Sequence, residues 1–390
     1  MAETPRNRRL SVAMVSASFH PYIGGAEKQA LELAAALQAG GARVTVLTRR
    51  LRGLPAEETV RGVRVVRLRC LGQKGFLNAL SFGLSLFLHL LNQSAFYDAF
   101  HAHLAGSPAL AAVLAGRFLN KPVWVKLGGG RGVGELSGSA KTVPGRLKLR
   151  LLACLKPRFI AVSPDLVEEA AAYLGRRVGV QVVPNGVDTA RYRPVAAARK
   201  AELRRNLGWP AEGLGFVYTG RIAPEKRLPY FLEAWADALK KFSGSRAFIA
   251  FVGDGIEAAR LKDIAAYERM QDRVFLAPSA DDVAPFYGAA DIFVLPSISE
   301  GLSNALLEAM SCGLAILASR AGGTPEAVAE GHNGLLFAPE NTEEIQAQIR
   351  KFLDHPELAA RLGRESREVA LEKYSLAEVA KRYEALYAER

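Results

Sequence analysis

The sequence is poor in the residues that build disulfide frameworks and zinc sites. Its three cysteines, Cys70, Cys154 and Cys312, lie far apart, and no CxxC pair or Cys/His cluster occurs among the 390 residues. Single scattered cysteines are typical of a reducing compartment. We therefore expect a cytoplasmic protein without a zinc centre.

The sequence also lacks a segment typical of secretion or membrane spanning. The N-terminal apolar run is one strand long and has no small-residue cleavage site, so no signal peptide is predicted. The uncharged stretch 75–97 is long enough to span a bilayer. Its polar residues, however, recur at three- and four-residue steps and predict an amphipathic helix instead. They are Asn78, Ser81, Ser85, His89 and Asn92.

Acidic residues are scarce in the first half of the chain. Residues 1–188 hold 25 Lys and Arg against 11 Asp and Glu, a net charge of +14, whereas the remainder holds 26 against 28, a net charge of −2. No aromatic-interleaved basic motif accompanies this charge, which argues against nucleic acid as a partner. Two interpretations stay open, namely a soluble basic surface, or attraction to an anionic membrane or acceptor.

What the sequence has is a regular alternation of buried strands and helices. A strand, a glycine-containing loop, a helix over Ala26 to Ala39 and a second strand form a βαβ unit, and consecutive units of this kind predict a parallel sheet. The predicted strands of this first sheet are Leu10 to Ser16, Arg43 to Thr48, Val63 to Arg67, Ala99 to His103, Val123 to Lys126, Phe159 to Val162 and Val180 to Val183.

A second series of the same kind follows a linker at Pro184 to Pro194. We predict two Rossmann-like domains, 1–188 and 189–373, facing a crevice, and a last helix within 374–390 that packs back on the first domain. The predicted strands of the second sheet are Gly215 to Gly220, Ala247 to Val252, Val274 to Phe275, Ile292 to Pro296, Ala315 to Ala318 and Gly334 to Phe337.

The segment 291–313 carries the most specific pattern. A buried strand ends at Pro296, a polar loop holds Glu300 and Gly301, and a short helix begins near Ser303. A helix N-terminus suits a phosphate, and a loop glycine lets backbone approach a ligand closely. Glu300 and Glu308 frame this site, and carboxylates are good acceptors for sugar hydroxyls.

A basic turn in the segment 218–227 forms a second candidate site. Arg221 follows a strand that ends at Gly220, and Lys226 lies across a proline-containing turn. Two cations there can neutralise a diphosphate leaving group without a metal. No DxD-like acidic pair occurs at a suitable loop, and we interpret Asp281 and Asp282 as the start of a surface helix. We therefore predict neither a metal nor a cofactor.

The first domain offers weaker signals. Gly24 and Gly25 open the first helix, and His103 ends a strand, where we expect its side chain to point into the crevice while His101 points elsewhere. Lys126 precedes a glycine-rich loop from Gly128 to Gly134, which is either an acceptor-binding lid or a mobile connector.

At these motifs the chain resembles the family 4 glycosyltransferases, retaining enzymes of the GT-B fold. Their Glu-x7-Glu motif corresponds to Glu300 and Glu308. The resemblance implies four catalytic residues, of which Arg221 and Lys226 bind the diphosphate and Glu300 and His103 contact the donor sugar. It also implies that Glu308 binds the ribose. It further implies donor contacts at Gly24, Gly25, Leu276, Gly301, Leu302, Ser303, Asn304 and Ala305, and acceptor-side contacts at Lys126 and Gly129.

The resemblance implies transfer of a hexosyl unit from a nucleoside-diphosphate sugar to a hydroxyl, with retention at the anomeric carbon. A UDP-sugar is favoured and GDP-mannose is the alternative. The basic first domain favours a glycan or lipid-linked acceptor near a membrane. Two other functions remain open, namely a sugar-nucleotide epimerase on the same fold and a non-catalytic membrane-associated scaffold.

Overall fold

The computed structural model describes residues 9–21, 24–73, 75–242 and 244–389. The chain divides into two compact units. Unit 1 comprises the residues up to Gly186 together with those from Leu376 onwards, and unit 2 comprises Val187–Ser375. The predicted changes of domain, after 188 and after 373, lie two residues from these positions. The prediction that the N-terminus carries no signal peptide concerns in part residues 1–8, which lie outside the described part.

Unit 1 is built on one sheet of eight strands in the order β3-β4-β2-β1-β5-β6-β7-β8. All neighbours pair in parallel except β3 and β4. The strands are β1 (Ser11–Val15), β2 (Arg43–Arg49), β3 (Glu57–Val60), β4 (Val63–Leu68), β5 (Ala99–His103), β6 (Val123–Leu127), β7 (Arg158–Ala161) and β8 (Val180–Val182).

The helices of unit 1 that follow these strands cover both sheet faces, as buried parallel strands require. They are α1 (Gly25–Ala39), α2 (Phe76–Asn92), α3 (Ser107–Leu119), α4 (Glu135–Ala140), α5 (Val143–Leu155) and α6 (Pro164–Leu174). Sequence analysis missed β3, because an edge strand with alternating exposed residues carries no apolar run. It also missed α4 and α5, which follow the glycine-rich loop.

Unit 2 holds a six-stranded parallel sheet in the order β11-β10-β9-β12-β13-β14. Its strands are β9 (Gly215–Thr219), β10 (Phe248–Val252), β11 (Val274–Ala277), β12 (Ile292–Leu295), β13 (Ala315–Ser319) and β14 (Gly334–Phe337). Its helices are α7 (Ala197–Asn206), α8 (Leu228–Lys240), α9 (Ala258–Tyr267), α10 (Ala284–Ala289), α11 (Asn304–Ser311), α12 (Thr324–Ala327), α13 (Thr342–Asp354) and α14 (Glu357–Lys373). The fold class predicted from the sequence, two Rossmann-like parallel-sheet domains, is confirmed.

The last helix, α15 (Leu376–Ala388), belongs to unit 1 and packs against α1. Its Tyr383 and Tyr387 lie in one buried cluster with side chains of α1, β1, β2 and β4. The chain leaves unit 1 between Gly186 and Val187, and each of these two residues is hydrogen-bonded within its own unit. Gly186 exchanges two bonds with the Gln29 side chain in unit 1, whereas the amide of Val187 donates to the Tyr374 carbonyl in unit 2.

Within the described residues, no helix combines the length and the apolar character needed to cross a membrane. The uncharged stretch 75–97 forms α2 and a short 3-10 turn at Ser94–Phe96.

Candidate functional site

In unit 2, the loops that follow β9, β12 and β13 meet at one edge of the sheet, because the carboxyl ends of parallel strands lie together. These loops carry Arg221 and Lys226, Glu300 and Gly301, and the Gly322-Gly323 pair. The structure thus brings the two strongest sequence-predicted motifs to the same edge of one unit.

Glu300 is the centre of a compact polar cluster. Its side chain is mostly buried, and its Oε1 accepts hydrogen bonds from Lys226 Nζ at 2.5 Å and from Ser297 Oγ at 2.7 Å. Ser297 is fully buried and was not identified from the sequence, although it lies only three residues before Glu300. The contact holds a carboxylate and an ammonium at the loop edge in fixed relative positions.

The backbone around Glu300 is fixed by a close approach of the loop after β13. Gly322 adopts φ +54, and a Cβ at that position would lie 1.8 Å from the Glu300 carbonyl oxygen. The next amide, Gly323, donates to the Gly301 carbonyl at 2.7 Å. Only glycine at 322 fits this packing, because any side chain there would collide with the Glu300 backbone.

Helix α11 begins at Asn304, with Ser303 as its N-cap. The Ser303 Oγ accepts from the Leu306 amide at 3.3 Å, which orients the first turn. The positive end of the helix dipole therefore lies directly after the Glu300 loop. This is the arrangement that the sequence predicted for the segment from Gly301 to Ala305.

Glu308 lies one turn further into α11 and is almost fully buried. Its Oε2 accepts from the Tyr287 hydroxyl at 3.1 Å, and that hydroxyl also bonds Thr219 Oγ1 at 2.5 Å. Burial, and secondarily the Glu308 charge, raise the pKa of Tyr287 well above its usual value. The tyrosine is thus a neutral donor. Sequence reasoning missed Tyr287 and Thr219, because no spacing links them to Glu308.

The second predicted cation has a different environment. The Arg221 side chain is 70% exposed and pairs with Glu225 four residues later. An exposed pair of this type contributes little stability and can exchange partners readily. Lys226 and Arg221 are therefore both engaged by carboxylates, the first in a mostly buried pair and the second on the surface.

One prediction about unit 2 needs correction, and another agrees with the structure to within two residues. Leu276 was assigned to a loop, but β11 continues to Ala277 and Leu276 pairs with Phe251 of β10. Helix α10 begins at Ala284, two residues after Asp282, whose carboxylate pairs with Arg191. Among the described residues, no group of three or more His, Cys, Asp or Glu side chains is arranged to hold a metal ion.

In unit 1, the predicted opposite orientation of His101 and His103 is wrong. Residues two apart on a strand share a face, and the two imidazoles of β5 stack with centroids 4.5 Å apart. Both side chains are buried on the side that carries α15, where His101 Nδ1 lies 2.5 Å from the Tyr387 hydroxyl. The same strand rule applied to the sequence would have placed them correctly.

The two histidines and Lys126 form a buried cluster of nitrogen groups. Burial lowers the pKa of His101 to about 3 and, with the nearby His101 and Lys126, lowers that of His103 well below its usual value. Burial also lowers the pKa of Lys126 to about 7. The Lys126 Nζ lies 5.6 Å from the centre of the Tyr383 ring. Near neutral pH this cluster therefore carries two neutral imidazoles and a half-protonated amine.

The other unit 1 candidates lie at the same edge of the sheet. Gly24 is the N-cap of α1, and its amide donates to Glu27 Oε2 at 3.1 Å. Gly128 and Gly129 follow β6, and their amides each donate to the Glu135 carboxylate at 3.1 Å. The glycine-rich loop predicted to be flexible is thus held by hydrogen bonds. Residues 22 and 23 of the loop before α1 lie outside the described residues.

Comparison with known proteins covers both units. The family model "Glycosyltransferase Family 4" matches residues 23–191, and the model "Glycosyl transferases group 1" matches residues 199–369. Together the two matches extend over most of the chain.

Among curated proteins, the chain is 35% identical to a D-inositol 3-phosphate glycosyltransferase of Acidothermus cellulolyticus over 47% of this chain, spanning 42% of that relative's length. It is 25% identical to an N-acetyl-alpha-D-glucosaminyl L-malate synthase of Bacillus anthracis over 74% of each chain. Among solved structures, Anabaena HepE in complex with UDP and glucose superposes with a TM-score of 0.79 at 19% identity, covering 98% of this chain and 100% of that one.

Proposed function

The chain belongs to the family 4 glycosyltransferases of the GT-B fold, and from this premise we propose that it transfers a hexosyl unit from a nucleoside-diphosphate sugar to a hydroxyl acceptor. The observation that carries the proposal is the pair Glu300 and Glu308 on one loop and helix of unit 2. Each carboxylate is held by its own partners on either side of the α11 N-terminus.

In the proposed reaction, the bond between the anomeric carbon and the diphosphate oxygen breaks, and the acceptor oxygen bonds to the same face of that carbon. This attack on the face from which the diphosphate departs accounts for retention, and the acceptor proton passes to the leaving phosphate. Lys226, Arg221 and the α11 N-terminus stabilise the charge that grows on the diphosphate. This role for two side-chain cations supports a reaction without metal or other cofactor.

We assign the donor as a UDP-sugar, with GDP-mannose as the alternative. The HepE structure, in complex with UDP and glucose, supports this choice by its fold. The acceptor is a hydroxyl of a glycan or a lipid-linked saccharide. The excess of basic residues in the first half of the chain supports a peripheral position at the cytoplasmic face of an anionic membrane.

The experiment that tests the donor class is calorimetric titration with UDP, GDP and ADP, followed by assay of the corresponding sugar nucleotides with and without added acceptors. We expect binding of one nucleoside diphosphate and transfer that depends on the acceptor. Isomerisation of the donor in the absence of acceptor would identify an epimerase instead. Binding of none of the nucleotides would favour the scaffold.

The diphosphate assignment is tested by Arg221→Ala and Lys226→Ala. Each should lower turnover by about a hundredfold or more, since each removes a charge that opposes the leaving diphosphate. The matched control is Lys262→Ala, because Lys262 is an exposed cation of the same unit. Near-normal turnover in both site variants would refute the assignment.

The proposal of a metal-free reaction predicts full activity after dialysis against EDTA. Loss of activity that magnesium or manganese restores would contradict it.

A further inference from the structure

The outer surface of unit 1 exposes a large amount of apolar side-chain area. Half of the large hydrophobic side chains that are exposed among the described residues lie on α2, α3 and α5. We call the centre of this surface the apolar face. It consists of Leu80, Leu84 and Leu88 on α2, Phe118 on α3, and Leu147 and Leu151 on α5, which are between 41% and 76% exposed. A surface of this kind marks a site of interaction.

Helix α2 has apolar residues on both its inner and its outer side, and Phe82, Leu86 and Leu90 are buried against the domain. Residues of its polar stripe are also bonded to the domain. Asn78 accepts from Arg49 Nη1 at 2.9 Å and donates to the Gly72 carbonyl at 2.8 Å. Ser85 donates to the Arg69 carbonyl at 2.7 Å. The exposed leucines of α2 lie on the side of the helix opposite to these attachments.

The three helices form a continuous layer. Helix α2 packs against α3, with Gly83 approaching Ala111, and α3 packs against α5. The exposed residues of α5 recur at four-residue steps, so Leu147 and Leu151 form one stripe. The apolar face therefore extends across three elements of the same unit and does not depend on a single side chain.

Helices α2, α3 and α5 carry no Asp or Glu, and the first acidic residues that follow α5 in the sequence lie on α6. Residues 136–164 contain six Lys and Arg and no Asp or Glu. Arg146 and Arg150 are exposed beside Leu147 and Leu151 on α5, and Arg117 is exposed beside Phe118 on α3. A leucine-rich surface with a basic border is complementary to an anionic bilayer. A symmetric contact between two copies of this chain would instead bring these like charges together.

We infer that the apolar face of α2, α3 and α5 is a membrane-docking surface whose occupant is a bilayer containing anionic lipids. The inference rests on the proposed function in one respect. If the acceptor is a lipid-linked saccharide, this face explains how the protein is held at the membrane that carries it. Helices α2 and α3 begin at the sheet edge where β4 and β5 end, and the acceptor-side candidates Lys126 and Gly129 lie at that same edge. Docking of this face would keep that edge close to the lipid surface.

The first test is cosedimentation of the full chain with vesicles of phosphatidylcholine alone and with vesicles that also contain roughly 30% phosphatidylglycerol, an anionic lipid that attracts basic residues near the surface. We expect binding to the anionic vesicles that weakens at high salt. The double variant Leu80→Gln/Leu84→Gln should lower the vesicle partition coefficient roughly tenfold or more. The control Ile256→Gln/Tyr267→Gln, at exposed apolar positions of unit 2, should leave it unchanged.

The basic border is tested separately by Arg146→Gln/Arg150→Gln. Removal of two charges next to an anionic surface should lower binding by roughly tenfold to thirtyfold. The control Arg205→Gln/Lys262→Gln removes the same charge from exposed positions of unit 2 and should have a small effect. If both double variants lost vesicle binding equally, the attraction would depend on net charge alone, and the assignment to this face would be overturned.

Two further measurements keep the inference separate from the proposed function. Nucleoside-diphosphate binding by the leucine variant, measured by calorimetry, should match the wild-type protein, which also shows that the variant is folded. Wild-type protein that fails to bind anionic vesicles overturns the docking surface. A concentration-dependent dimer that the leucine variant abolishes would assign the face to self-association instead. Vesicle binding without any nucleotide binding would support the docking surface while refuting the proposed function.

Discussion

At the scale of single residues, the most informative contact is the one between Tyr287 and Glu308. The tyrosine is fully buried and donates to Glu308, the carboxylate that the family resemblance assigns to the ribose hydroxyls. A hydrogen bond to a charged group contributes about 1.5–3 kcal/mol. We therefore propose that Tyr287 is a positioning residue, which acts on the nucleotide through Glu308.

The substitution Tyr287→Phe should weaken nucleoside-diphosphate binding by about tenfold, because Glu308 loses a donor that orients it. The loss should be smaller for a 2′,3′-dideoxy nucleotide, which has no ribose hydroxyls to bind. Titration calorimetry of both ligands with both proteins gives the coupling free energy between the Tyr287 hydroxyl and the ribose hydroxyls. A purely structural role for Tyr287 would weaken both ligands equally, and Tyr267→Phe, at an exposed position, serves as the control.

Lys126 gives a prediction about pH. Its folded-state pKa of about 7 lies below the value near 10.5 of the unfolded chain, so burial of the ammonium costs stability. The full loss of folding free energy is present below pH 7. It becomes smaller as the pH rises towards 10.5, because Lys126 loses its proton at a lower pH in the folded protein than in the unfolded chain.

Lys126→Met should therefore stabilise the protein more at pH 6.5 than at pH 9, and the difference should be roughly 2–3 kcal/mol over the two pH units above 7. Urea unfolding at both pH values measures it. His101 and His103 do not disturb the comparison, since burial keeps both imidazoles neutral in the folded protein there. An equal gain at both pH values would show that the Lys126 ammonium is not desolvated. Lys262→Met is the exposed control.

At the scale of elements, the glycine-rich loop between β6 and α4 is tied to carboxylates at both of its ends. Gly128 and Gly129 donate to Glu135, and Gly132 donates to Glu169 at 3.0 Å. Arg131 adds exposed ion pairs with Asp165 and Glu168 of α6. Movement of this loop during acceptor binding would have to release these bonds.

Glu135→Ala should speed amide hydrogen exchange at Gly128 and Gly129 by about tenfold or more, while the exchange of Gly132 stays slow. Glu169→Ala should give the opposite pattern, so each variant is the control for the other. Exchange followed by nuclear magnetic resonance or by mass spectrometry distinguishes the two. Fast exchange at all three glycines in the wild-type protein would show that the loop is mobile after all.

At the scale of the whole molecule, the chain returns to unit 1 at its end. Tyr383 of α15 is fully buried and stacks on His101 with centroids 5.3 Å apart. The stability of unit 1 thus depends on residues nearly 200 positions beyond the rest of its sequence, with all of unit 2 between them.

Tyr383→Ala should destabilise unit 1 by about 3–5 kcal/mol, the usual cost of removing a large buried aromatic side chain. In differential scanning calorimetry, the transition of unit 1 should move to lower temperature while that of unit 2 stays in place. Tyr267→Ala removes an exposed tyrosine from unit 2 and should move neither transition. A shift of both transitions by Tyr383→Ala would contradict the division into independent units.

Local order in the sequence was sufficient to predict the alternation of strands and helices, the family, and the position of Glu300 and Glu308 on a loop and a helix. These properties are written in residues that lie close together, where periodicity and spacing are direct consequences of backbone geometry. The stacking of His101 on His103 was also available from the strand period, although the prediction had it wrong.

Only the tertiary structure decided which partners these residues have. The Tyr287 hydroxyl reaches Glu308 and Thr219 from another helix, Lys126 is buried beneath α15, and Asn78 of α2 bonds Arg49. Each outcome depends on how distant elements pack, and the sequence of α2 has apolar residues on more than one side. Packing decided which of them are covered, gave the buried Asn78 hydrogen-bond partners, and left Leu80, Leu84 and Leu88 exposed.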